Sequence, residues 1–255
     1  MANTAFFTRD GDSYLPTDIC RGPWDPKSLH GRVVAGLLAY EIEQRWIDPA
    51  FHPARLTVDL YRLPKFAPVQ VTSKVVRDGN RIRIVDAEFI NDGVSVGRAS
   101  CVLLRRSDAT DGNVWGPPDW SVPAPEALPE PEQAQPAMWD SRTIDHGFGA
   151  VAQKRTWIRE NRPLIEGVEL TPFLRAASSA DFANPFANSG DKGLQYVNTD
   201  ITLYLHRLPI AEWVGFEVVA HHSSEGIAVG ECALYDANGA FGRSSICGVA
   251  QRRKA

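Results

Sequence analysis

Apolar residues recur along this chain in two rhythms. Between Pro26 and Trp46, Val33, Val34, Leu37, Leu38 and Ile42 repeat at helical spacing, with Asp25 or Ser28 available as a cap. Gly31, Ala35, Gly36 and Ala39 are small, so this helix can lie close against other backbone. It is apolar around most of its girth until Glu41, which implies burial on several sides. Thr171-Pro172, a capping hydroxyl followed by proline at the first helical position, predicts a second helix running to about Phe182. Elsewhere the period is two. Leu56, Val58 and Leu60 alternate with polar residues, as do Val69, Val71, Ser73 and Val75. Strands are expected at Ile82 to Ile90, Val94 to Leu104, Ile201 to His206, Val214 to His221, Ile227 to Tyr235 and Ala240 to Ala250. Asp78-Gly79-Asn80 and Asn238-Gly239 serve as turns. An extra strand, Ala152 to Arg159, precedes the second helix, and Ser13–Pro16 is its weaker counterpart in the first half.

The two halves resemble one another. Arg62-Leu63-Pro64 recurs as Arg207-Leu208-Pro209, and Gly97-Arg98-Ala99-Ser100 as Gly242-Arg243-Ser244-Ser245, both at a spacing of 145 residues. Thr57 matches Thr202, Val69 matches Val214, and Ile82 matches Ile227 in the same register. Several matches at one offset indicate an internal duplication. Between the copies, Trp115 to Pro136 is dense in proline, which excludes a helix or interior strand and reads as a semi-rigid linker. The expected organisation is residues 1–114, a linker at 115–136, and residues 137–255. Each half would be a short strand, one buried helix and a long antiparallel sheet. An α+β double hotdog, two tandem sheets each wrapped around a helix, is therefore the expected fold.

Composition narrows the function. The 255 residues carry 27 Lys plus Arg against 31 Asp plus Glu, a net charge of −4, which argues against a nucleic-acid partner. No apolar run reaches the roughly 18–20 residues that span a bilayer, so no membrane association is expected, and Met1 to Asp10 does not read as a secretory signal. Cys20, Cys101, Cys232 and Cys247 lie far apart without a CxxC, so neither a disulfide framework nor a metal site is expected; a cytoplasmic protein with reduced thiols is. GxSxG, GxGxxG and HExxH are absent, and no cofactor is implied.

Particular segments carry a family likeness. Gly22-Pro23-Trp24 through His30-Gly31 and into the small-residue helix resembles the first half of TesB-like double-hotdog acyl-CoA thioesterases. Arg155 to Leu164, Ala176 to Asn184, and Asn198 to Arg207 resemble the second half. The likeness covers nearly the whole chain apart from the linker. It implies hydrolysis of an acyl-CoA thioester by water. Three second-half groups would orient that water: an aspartate on the helix, a hydroxyl opening the next strand, and a glutamine on the last strand. A helix-start amide would polarise the carbonyl.

Carried over by position, the aspartate is Asp181, the strand-opening residue is Asn198, and the glutamine position falls on Cys247; Thr199 and Thr202 are out of register, and Gln251 lies four residues further along. Asp181 sits in a run of small residues on a helix expected to be buried, where a lone carboxylate is costly unless paired or used. Its alternative is a helix-end polar residue before Asn184-Pro185. His30 and Gly31 would place an imidazole or amides near the substrate, or simply start and pack the helix. Arg105-Arg106 and Arg252-Arg253-Lys254 would meet CoA phosphates or be solvated strand ends. His221-His222 point to opposite faces of a strand and read as surface. Asn198 and Cys247 depart from the family pattern and keep two alternatives open. One is a double hotdog that binds acyl-CoA without hydrolysing it; the other is an enoyl-CoA hydratase-like activity using His30. Assembly into a homo-oligomer, a dimer or larger, is expected.

Overall fold

The structure is a computed structural model that describes residues 4–131 and 139–251. The first half contains β1 (Phe7–Asp10), β2 (Ser13–Pro16), α1 (Gly31–Trp46), β3 (Phe51–Asp59), β4 (Val69–Asp78), β5 (Ile82–Asn91) and β6 (Val94–Arg105). The second contains β7 (Asp140–Asp145), β8 (Arg155–Arg159), α2 (Pro172–Ala180), α3 (Ala183–Ala187), β9 (Ser189–Gly190), β10 (Gly193–Leu194), β11 (Tyr196–Asn198), β12 (Asp200–Leu205), β13 (Trp213–Ser224), β14 (Ile227–Asp236) and β15 (Gly239–Ala250). Among the described residues thirteen strands form one antiparallel sheet, in the order β1-β2-β4-β5-β6-β3-β12-β15-β14-β13-β8-β7, with β11 also on β15. This is the double hotdog.

The duplication has a physical centre. Equivalent strands β3 and β12 pair with each other, with Thr57 directly opposite Thr202. Their hydroxyls meet at 3.3 Å. A residue paired with its own counterpart lies on the pseudo-twofold axis, so the spacing of 145 residues is a symmetry operation. The bulges obey it too: β5–β6 shifts register between Phe89 and Ile90, and β14–β15 between Leu234 and Tyr235. Each bulge adds a bend, which lets the sheet curl over its helix.

Two expectations are corrected. α1 begins at Gly31, not Pro26. The amides of Leu29 and His30 bond the carbonyls of Pro64 and Cys20 at 2.9 and 2.8 Å, so neither is free to enter a helix. Asp25 caps only a local turn, accepting from Lys27 at 2.8 Å. The second helix is broken in two. Pro185 has no N–H for the carbonyl of Asp181, which instead accepts from Asn184 at 3.1 Å. The described part of the linker, residues 115–131, packs on the second half. Trp120 stacks on Tyr235 with ring centres 4.2 Å apart, and Trp157 Nε1 donates to the Pro123 carbonyl at 3.0 Å.

The core lies between the sheet and the helices. Val33, Leu37, Leu38 and Ile42 of α1 are buried, as are Phe173, Leu174 and Phe186 of the second-half helices. Full burial of each such side chain contributes about 1.5–3 kcal/mol. α1 and α2 pack antiparallel, because the start of α1 meets the end of α2 and Thr171 reaches Glu43 near the end of α1.

Candidate active site

Where α1 begins, the break after α2 delivers a carboxylate. Asp181 ends α2 and is buried. Its Oδ1 accepts from Asn198 Nδ2 at 3.0 Å, and its Oδ2 lies 3.2 Å from His30 Nδ1. A Cβ built on Gly31 would stand 2.7 Å from Asp181 Oδ1, so only glycine lets the carboxylate approach the helix start this closely. The first amides of a helix have no intrahelical partner and attract negative charge. Gly31 therefore brings an N–H and a carboxylate to the same wall.

His30 has two competing duties. Its Nδ1 is 3.3 Å from the Arg32 amide as well as 3.2 Å from Asp181. With the proton on Nδ1 the ring donates to Asp181; with Nδ1 bare it caps the helix. The shorter contact and the charge on its acceptor favour donation. Two residues on, Arg32 is fully buried between the rings of Phe6 and Trp139, 4.4 and 4.1 Å from their centres, with Glu160 at 3.2 Å. Burial pushes the guanidinium below its usual value, while Glu160 and Asp181 act to hold the charge. The same burial raises Glu160.

These groups border a cavity of about 450 Å³. His30, Gly31, Asp181, Asn184 and Asn198 supply its polar wall, and Trp24, Leu29, Val34, Leu60, Leu63, Phe148, Phe182 and Val197 much of its apolar one. That size and mixture fit a small-molecule site.

Of the expected residues, Asp181, Asn198, His30 and Gly31 meet here. Cys247 does not. The residue of β15 opposite Asn198 is Gly248. Cross-strand partners share a face and neighbours alternate, so Cys247 points the other way. Its carbonyl and amide bond Thr199 and Asp200. A different β15 side chain reaches the helix break: Ser244 is fully buried and its hydroxyl donates to the Ala180 carbonyl at 2.9 Å. Gln251 is a surface residue whose amide bonds the Gln195 carbonyl. Arg105 leans over Phe51 and bonds Asn80, away from the cavity. Arg252, Arg253 and Lys254 lie outside the described residues. Two residues were missed: Asn184 donates to Asn198 at 3.2 Å, and Asn188 donates to Asn184 at 3.0 Å. The signal was there, since positions 181, 184 and 188 follow helical spacing. Among the described residues no group of three or more His, Cys, Asp or Glu is placed to hold a metal ion, and no helix is long and apolar enough to cross a membrane.

Fold and site together define a double-hotdog protein with a buried carboxylate, Asp181, at a helix start. The Acyl-CoA thioesterase N-terminal domain matches residues 20–104 and the Acyl-CoA thioesterase C-terminal domain residues 117–245, so the chain belongs to the acyl-CoA thioesterase family. Among solved structures it is similar to a conserved hot dog fold protein of unknown function from Alicyclobacillus acidocaldarius. That likeness has a TM-score of 0.76 at 17% identity over 97% of this chain and 96% of that one. It is also similar to a tesB protein of Mycobacterium avium subsp. paratuberculosis, with a TM-score of 0.70 at 14% identity over 96% of each chain. The acyl-CoA thioesterase II TesB2 of Mycobacterium marinum gives 0.68 at 16% identity over 96% of this chain and 95% of that one. No curated protein matches the chain.

Proposed function

We propose that this protein hydrolyses acyl-CoA thioesters, with Asp181 as general base. The observation that carries the reading is the buried carboxylate beside the Gly31 amide on the wall of a largely apolar cavity. The acyl chain lies along the apolar wall and the thioester oxygen takes the Gly31 N–H. A water held by Asp181 loses its proton to the carboxylate and attacks the carbonyl carbon. The oxyanion forms at the helix start, where orphan amides stabilise it. It collapses by expelling the CoA thiolate, which regains a proton as Asp181 is reset. Asn198 keeps the carboxylate aimed. Family membership and the TesB-like neighbours support the thioester; the acyl group is set by the cavity.

The test is a panel of acyl-CoAs with a thiol-trapping reagent. Thiol release is expected, and Asp181→Asn should slow it by about 10²–10⁴-fold, the usual contribution of a general base. No release from any ester, or an unchanged rate in that variant, overturns the reading. The His30–Asp181 contact at 3.2 Å favours a second reading, hydration of an enoyl-CoA, because that chemistry uses a histidine beside an acid. Loss of enoyl absorbance without thiol release would select it. Binding by calorimetry with neither reaction would select a non-catalytic acyl-CoA binder.

A further inference from the structure

Behind Asp181 runs a line of donors and acceptors whose sense can be worked out atom by atom. A carboxylate only accepts. Asn198 therefore turns its NH₂ to Asp181, at 3.0 Å, and its oxygen away. That oxygen accepts from Asn184 Nδ2 at 3.2 Å. The same NH₂ gives its second hydrogen to the Tyr196 carbonyl at 3.3 Å, another group that only accepts. Asn184 Oδ1 in turn accepts from Asn188 Nδ2 at 3.0 Å. Asn188 is left facing His221 with its oxygen, 2.8 Å from Nδ1. Only an N–H completes that contact.

We propose that Asn184, Asn188 and His221 are positioning residues for Asp181, forming a directional chain that begins at a His221 proton on Nδ1 and ends with the NH₂ of Asn198 on the carboxylate. The inference rests on the reading of Asp181 as the base. Reversing Asn198 would set an oxygen against the carboxylate and lose a hydrogen bond to a charged group, so the chain protects the aim of Asp181. The fold keeps space for it: a Cβ on Gly230 would collide with the Asn188 amide. His221 lies outside the walls of the main cavity and borders a second one of about 350 Å³, so it acts through the amides and not on substrate. Burial, Lys154 and His222 hold its imidazole below the ordinary histidine value.

Two measurements on the full chain test this. Long-range ¹⁵N NMR of the imidazole at pH 7.5 should find His221 as the Nδ1–H tautomer, with Nε2–H taking over in Asn188→Leu. Nε2–H in the unaltered protein overturns the proposal. In thiol-release assays with octanoyl-CoA, His221→Leu should lower kcat roughly tenfold, the low end of what a charge-assisted hydrogen bond supports, with KM unchanged. His221→Gln, which still offers an N–H to Asn188, should restore most of the loss. Equal losses in the two variants, or a change confined to KM, count against it. If Asp181→Asn proves harmless, the reading of the base fails, while the tautomer measurement still decides the chain.

Discussion

Gly31→Ala separates the two roles assigned to the helix start. Alanine keeps the backbone N–H, so the oxyanion donor survives. Its methyl would stand 2.7 Å from Asp181 Oδ1, 3.1 Å from Cγ and 3.2 Å from Oδ2. An ordinary carbon–oxygen contact needs about half an ångström more than the shortest of these, as packed atoms tolerate little overlap. The carboxylate must swing, because the other side of the clash is helix backbone. Swinging lengthens the bonds to Asn198 and His30, now 3.0 and 3.2 Å. Displacing a catalytic group by about 1 Å costs on the order of 10²-fold in rate. Meanwhile alanine gains about 1 kcal/mol of helix propensity over glycine, which offsets part of the strain. The expected result is a kcat for thiol release about 10²-fold lower, with a urea midpoint close to that of the parent. A Gly31→Ala protein with full kcat, in the same assay where Asp181→Asn is inactive, would refute the argument that this space exists for the base.

The buried ion pair and the cysteines carry further expectations. Arg207→Met leaves the fully buried Asp236 carboxylate without its bidentate partner at 2.6 and 2.7 Å and should cost about 3–5 kcal/mol in urea unfolding at pH 7. Burial alone would raise the pKa of Asp236, but Arg207 and the amides of Ile210 and Asn238 outweigh it and hold it below the ordinary aspartate value. Its stabilisation is thus complete above about pH 4 and fades as pH falls through the depressed native value, so the difference between parent and variant should shrink at pH 3; a constant gap would contradict this. Burial pushes Cys20 and Cys101 up to about 12 and raises Cys232 as well, whereas Cys247 is partly exposed. Native protein at pH 8 should therefore take up one alkyl group, at Cys247, by intact mass and peptide mapping. Because Cys247 faces away from the cavity, Cys247→Ser should leave kcat unchanged.

How legible the molecule was in its sequence depends on the range of the interaction involved. The long strands declare themselves because each buries one face, and alternation survives whatever lies beyond. The matches at a spacing of 145 residues were enough to anticipate a twofold object, and Thr57 against Thr202 turned out to mark its axis. The start of α1 was hidden, since the amides of Leu29 and His30 bond Pro64 and Cys20, partners that no local rule can supply. Asn198 and Asp181 came from family likeness and do meet. Cys247 came from the same likeness and does not, because a one-residue count along a strand reverses the face. Asn184 and Asn188 were readable at helical spacing, but Asn184 beside Pro185 suggested only a turn. His221 read as surface from its sequence, and the role proposed for it depends on β13 passing α3.

Among the described residues, the two helix starts at this α1–α2 contact are not alike. Antiparallel α1 and α2 create two junctions, each a helix start facing a carboxylate from the other helix. At one, Gly31 occupies the first helical position and offers an N–H beside Asp181. At the other, the first position is Pro172, which has no N–H to offer. There the capping Thr171 hydroxyl lies 2.8 Å from both oxygens of Glu43, and burial raises the pKa of that carboxylate. A helix start without its first amide, facing a carboxylate engaged by a hydroxyl, can stabilise neither an oxyanion nor an attacking water in the same way. The two junctions therefore differ in the residue that opens the helix: on the proposed reading glycine keeps one available for chemistry, while proline with threonine makes the other a structural cap.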